Sequence, residues 1–182
     1  VNAFSSTMLA GGIGILLIML FMIAYYRLPG IISAITIATY IFVVFLINNL
    51  MGAVFTLSGI AALVLGVGMA VDSNILTFER IKDSLYTGRS VRKAFYEGSS
   101  KSFVTILDAQ FTTFIAAVIL FMLGTGTVKG FATMLIVSTI STLIVIVFVA
   151  KFLLKCLVES GWLDDKKTWF GVKDSYLPNV KK

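Results

Sequence analysis

The sequence predicts an all-α, polytopic membrane bundle of five transmembrane helices, and three observations carry that expectation. Of its 182 residues 58% are apolar and only 13% charged, with a mean hydropathy of +0.99, a balance outside the range of soluble globular domains. The apolar residues gather into five runs of about 17 to 22 residues, and roughly 20 residues at 1.5 Å each cross the hydrocarbon core of a bilayer. The basic residues gather at alternate ends of those runs. Lipid offers the backbone no hydrogen-bond partner, and the runs are far longer than barrel strands, so helices are the remaining solution.

Residues 1–7 read as a short stub before the first span, Met8 to Tyr26, which Arg27 closes. The second span, Ile31 to Ile47, follows Pro29-Gly30. The third, Leu57 to Phe78, leads into a polar connection over 79–102, the only sizeable one between spans. The fourth runs from Phe103 to Leu123 and the fifth from Phe131 to Phe152, so the transmembrane domain covers 8–152 and residues 153–182 form a tail or linker.

Arg27, the basic residues of 79–102 and those of the tail all fall on one side of this arrangement. Of the fifteen basic residues, Lys129 alone falls on the other. Lys and Arg near span ends stay cytoplasmic, which places the amino end of the chain outside and the carboxyl end in the cytoplasm. The net charge of +6 then reflects topology and gives no reason to invoke nucleic acid. A chain that starts outside on Val1, with no leader-like segment, reads as an internal piece of a longer protein, with more expected upstream and possible beyond the tail.

With one cysteine and no histidine, the sequence suggests no disulfide, no metal site, no cofactor and no imidazole base, and Cys156 reads as an inert thiol. No nucleophile and base pair can be assembled, so the sequence does not read as an enzyme. Gly66 and Gly68 lie within a span with no GK[ST] after them, which excludes a phosphate-cradling loop. Within 79–102, Ser90 is a candidate N-cap, Val91, Ala94 and Phe95 share a face, and Gly98 is a candidate stop. A short basic helix on the membrane surface fits this pattern, and a docking surface for a cytoplasmic partner is the alternative.

The feature that points to function is Asp72, inside the third run. A carboxylate at such a depth costs about 2.5 to 3.5 kcal/mol on an insertion scale, and by default marks an ion or proton path, structural pairing being the alternative. Asp108 lies at matching depth in the fourth run, both roughly 7 to 9 Å below the same surface at 1.5 Å per residue. On neighbouring helices the two would disfavour each other's ionised forms. Gly68 is one turn from Asp72 on the same face, and Ala62, Gly66 and Ala70 make a small-residue stripe suited to close helix approach. Thr112 stands one turn from Asp108 with Thr113 beside it, and Ser138, Thr139, Ser141 and Thr142 in the last span are placed to bond across helices. Both acids are expected in a packed or wet interior.

The strings GMAVDSNILTFERI (68–81), ILDAQFTT (106–113), LGTGTVKGFA (123–132) and FMIAYYR (21–27) resemble the membrane region of SecD, or of the SecD half of fused SecDF proteins. The resemblance covers nearly the whole chain, and GWLDDKKTWFGVK (161–173) is similar to the stretch leading into the SecF half of fused forms. It implies a SecD-like half of a resistance-nodulation-division (RND) type protein in the bacterial plasma membrane, its five spans being the family's second to sixth. It also implies partners: SecF or the SecF half, the SecYEG channel, a translocating preprotein and the lipid bilayer. By the same resemblance Asp72 and Asp108 match the family's membrane acids, Asp72 the one tied to proton movement, with Asn74 matching a nearby Asn.

Departures from the family pattern are modest. Ser58 stands where the family has Pro in TLPGIAG, Ser73 replaces the Ala of VDAN, Gln110 replaces the Asn of DAN, and Thr127 stands where Pro is frequent. Gln110 lengthens the reach of its amide, so no hydrogen-bond role carries over to it. The resulting expectation is a membrane subunit that uses the proton gradient to promote polypeptide export. A proton-coupled RND transporter of a small molecule or lipid, and a passive scaffold in a membrane complex, are the alternatives.

Overall fold

Helices run past the ends of the apolar runs wherever no breaker intervenes. The structure, a computed structural model, describes residues 2–52 and 55–160. Within them lie α1 (Asn2–Tyr26), α2 (Leu28–Leu50), α3 (Leu57–Tyr86), α4 (Val91–Leu123) and α5 (Thr127–Ile144), the last continuing through a π-helical turn (Val145–Ala150) into α6 (Lys151–Glu159). Five helices are long and apolar enough to cross a membrane, counting α5 to α6 as one. The tail similarity at 161–173 and the last five basic residues lie outside the described residues.

The stub over residues 2–7 is helical, because nothing before Met8 interrupts the first helix and Thr7 donates to the Ala3 carbonyl at 2.8 Å. The second helix starts three residues ahead of Ile31: Pro29 fits its first turn, where no amide hydrogen is needed, and Arg27 at φ 53 makes the turn from α1. The third helix continues two turns beyond Phe78 and stops at Thr87-Gly88, with Gly88 at φ 83. Thr56 caps its start, its hydroxyl accepting from the Gly59 N–H at 3.1 Å.

The expected surface helix and fourth span are one helix. Ser90 does cap its start, accepting from the Lys93 N–H, but Gly98 does not end it. A Cβ on Gly98 would lie 2.7 Å from the Ile81 nitrogen and 2.8 Å from its Cα, so this glycine lets α3 and α4 meet backbone to backbone. Their connection shrinks to Thr87–Ser90, and Arg89 and Lys101 pair with Glu97 across and along its flank.

The third helix is the hub, packed on α1, α2, α4 and α5. Ala62, Gly66 and Ala70 are buried, and the Tyr40 hydroxyl from α2 and Ser138 from α5 close onto Gly66 so tightly that no Cβ fits there. Three of the four hydroxyls noted in the last span bond within their own helix, and Ser138 Oγ has no partner among the described residues. Thr139, Ser141 and Thr142 donate to carbonyls four residues back in their own helix, at 2.7 to 2.8 Å, because that acceptor is always within reach in an apolar segment. Cross-helix polar contacts include those of Asn48, whose amide donates to Met134 Sδ, and of Tyr26, whose hydroxyl donates to Glu79 at 2.8 Å.

Candidate functional site

The two membrane acids lie on the outside of the bundle, on helix faces that no other described residue covers. Asp72 is exposed on a face of α3 that continues through Gly68 and Leu65, and a Cβ added to Gly68 would meet nothing within 4 Å. Asp108 is exposed on α4 among Phe111, Thr112 and Ile115. Periodicity placed Gly68 with Asp72 correctly. It could not reveal that this side of the helix has no neighbour within the described residues.

Register brings the acids to one level. The antiparallel helices touch at Ile81 and Gly98; Asp72 lies nine residues from the first and Asp108 ten from the second, about 14 and 15 Å along each axis. Among the described residues neither carboxylate accepts a hydrogen bond or an ion pair. The Thr112 hydroxyl donates to the backbone carbonyl of Asp108 at 2.9 Å, and Thr113 to that of Ala109 at 3.0 Å. Both hydroxyls therefore satisfy the helix and leave the carboxyl groups alone.

Asn74 sits away from Asp72, on the buried side of α3. Its amide donates to Ser33 Oγ of α2 at 3.2 Å, with both residues buried. Removing that bond in Asn74→Ala should cost about 0.6 to 1.7 kcal/mol, the range for hydrogen bonds between membrane helices. A lower unfolding temperature in detergent is the expected result. An unchanged one would show that the contact contributes nothing to stability.

Sequence reasoning passed over Ser33, which gives Asn74 its partner, and Tyr40, whose buried hydroxyl packs on Gly66. A lone Ser or Tyr in an apolar run carries no local signal of its contact. Gln110 is buried with its Oε1 unpartnered among the described residues, beside a groove between α4 and α5 that Asp108 and Thr139 also line. The arrangement leaves an ionisable group, flanked by a glycine that permits close approach, on an uncovered helix face at membrane depth. Such a group can bind and release a proton or meet a cation from another helix.

Comparison with known proteins gives these residues a context. The chain matches the family described as "Protein export membrane protein SecD/SecF, C-terminal" over residues 2–160. It is 56% identical over 180 residues to the protein translocase subunit SecDF of Bacillus subtilis, covering 99% of this chain and 24% of that one. Against the protein translocase subunit SecD of Acidaminococcus fermentans the identity is 39%, over 99% of this chain and 43% of the relative. The chain thus spans from about a quarter to less than half of these two relatives. The crystal structure of SecDF from Thermus thermophilus, described as a translocon-associated membrane protein, superposes with a TM-score of 0.82 at 34% identity, over 86% of this chain and 22% of that chain. A SecDF crystal structure in a super-membrane-facing form gives a TM-score of 0.80.

Proposed function

The chain belongs to the SecD/SecF family of protein export membrane proteins, and on that premise we propose that it is a membrane half of a Sec export subunit that draws on the proton gradient to promote polypeptide translocation. The observation that supports this most is the unpaired Asp72 on an open face of α3 with Gly68 one turn away. A second, SecF-like half covers that face in the working protein and supplies a counter-charge to Asp72, which has none beside it among the described residues. Asp72 exchanges a proton there, and the change in its charge biases two packings of the halves. A proton crossing 100 mV releases about 2.3 kcal/mol, enough to shift such an equilibrium by well over tenfold. The SecYEG channel and the emerging preprotein are the partners of the whole assembly.

Asp108, level with Asp72 but on α4, plays a lesser part in the same event. Asn74, Thr112 and Thr113 support the helices that carry the acids. The working orientation is amino end outside and carboxyl end cytoplasmic, supported by Arg27, Arg80 and Lys82 at one end of the bundle and Lys129 at the other. In intact cells, cysteines at Asn49 and Thr125 should react with an impermeant thiol reagent, and one at Thr87 should not. Labelling at Thr87 from outside would reverse the orientation.

The cover over Asp72 has its own test. Gly68→Leu puts a side chain into open space here, so a separately expressed piece should insert unchanged, while in the full-length protein it should hold the halves apart and impair export. Normal export by full-length Gly68→Leu would argue that nothing docks on this face.

A further inference from the structure

Two grooves lie end to end along the seam between α4 and the α5–α6 helix. The first, about 520 Å³, is lined by Tyr96, Ser99, Phe103, Phe148, Lys151 and Lys155 among others. The second, about 640 Å³, continues it on the apolar side past Val104, Leu107, Phe111, Ile140 and Leu143. From Ser99 to Phe111 the seam runs about 18 Å at 1.5 Å per residue, close to one leaflet of a hydrocarbon core about 30 Å thick.

The charge is concentrated at one end. Lys151 and Lys155 are one turn apart, and the Lys151 ammonium stands 3.7 Å from the centre of the Phe103 ring, which holds it at the groove. Lys155 shares Glu159 with the Tyr96 hydroxyl, at 3.9 and 2.9 Å. Lys151 has no carboxylate partner among the described residues. By contrast Lys101 and Arg89, farther around the same end, are paired with Glu97. Phe148 and Phe152 are 69% and 64% exposed, so the groove opens directly toward the bilayer.

We propose that this seam binds an anionic phospholipid, its phosphate on Lys151 and Lys155 and one acyl chain along the Phe103–Phe148 groove toward Leu107 and Phe111. The cations lie at the edge of the apolar zone, where headgroups sit, and basic pockets between membrane helices select anionic headgroups by that chemistry. The hydroxyls of Ser99 and Ser100 give the phosphate oxygens neutral donors beside the two ammonium groups. Asp108 and Gln110 are polar groups lining the deeper groove, so the acyl chain keeps to the Leu107 and Phe111 side chains beside them. The inference needs the chain to lie in a bilayer and is independent of orientation and of the role of Asp72.

The test uses the full-length protein in nanodiscs of phosphatidylcholine with a minor fraction of phosphatidylglycerol. A photo-cross-linking p-benzoylphenylalanine replaces Phe148, and the attached lipid is identified by mass spectrometry. Phosphatidylglycerol should be attached several-fold above its mole fraction. Lys151→Gln with Lys155→Gln should bring it down to the mole fraction, as should Lys155→Gln alone in part, and Lys101→Gln should leave the enrichment in place. Attachment in proportion to lipid composition in the unaltered protein would show bulk lipid only. Cross-links to protein in place of lipid would show that another part of the assembly covers the seam, and either outcome overturns the proposal.

Discussion

Asp72→Asn should abolish gradient-driven completion of export in the full-length protein while the helices still insert and assemble. The exchange keeps size and hydrogen-bonding capacity and removes the titrating group. The side chain is exposed on this half and makes no hydrogen bond or ion pair among the described residues, so the bundle loses no internal contact. The expected readout in inverted membrane vesicles is translocation that proceeds with ATP and no longer accelerates when a gradient is imposed. Asp72→Glu should retain part of the response, limited by the extra methylene at the interface. Asp108→Asn should be milder. A normal gradient response in Asp72→Asn would leave the scaffold reading standing, in which this chain only holds partners together.

Gly98→Ala should produce one of the largest losses of stability of any single methyl addition, alongside the tight spots at Gly30, Gly66 and Gly124. The new Cβ would sit 2.7 to 2.9 Å from the Ile81 nitrogen and Cα and the Arg80 carbonyl carbon. Those are backbone atoms of a facing helix and cannot rotate away, so α3 and α4 must separate along a contact that carries the register of both acids. Overpacking of this kind costs about 1 to 3 kcal/mol, more than the roughly 1 kcal/mol that alanine gains over glycine within a helix. A fall of several degrees in unfolding temperature in detergent is expected. Gly68→Ala, with nothing within 4 Å of its Cβ, is the control and should be neutral or slightly stabilising. Equal behaviour of the two would mean that the Ile81–Gly98 crossing is looser than described.

The residues that made the spans and the site visible in the sequence did so through hydrophobicity and periodicity, and those signals have a limited reach. Apolar runs report where lipid is, so they found five helices but not their ends: Glu79 to Tyr86 and Val91 to Ser102 are helical because nothing breaks them, although they are too polar to score as membrane. Gly98 was legible as an unusual glycine and misread as a stop, since a terminating glycine and one at a close crossing look alike until the facing helix is known. The Ala62–Gly66–Ala70 stripe was readable because a spacing of four places small residues on one side of a helix. The hydroxyl cluster from Ser138 to Thr142 was not, because Thr139, Ser141 and Thr142 each have a partner in their own helix, while the Ser138 hydroxyl packs against Gly66 without one among the described residues. The π-helical turn at Val145–Ala150 has no local signature in VIVFVA at all. For the acids, sequence supplied the face that Asp72 shares with Gly68 and the common level of the two. Which side of each helix is covered depends on everything packed around it, and that was beyond any local pattern.

Proton movement itself is the most direct measure of the account. Full-length protein reconstituted in sealed liposomes with a trapped pH-sensitive dye should, under an imposed gradient, carry protons above the lipid background, and Asp72→Asn should return the flux to that background with the protein inserted in equal amount. Flux in Asp72→Asn equal to that of the unaltered protein would contradict the assignment of Asp72 as the proton-handling group.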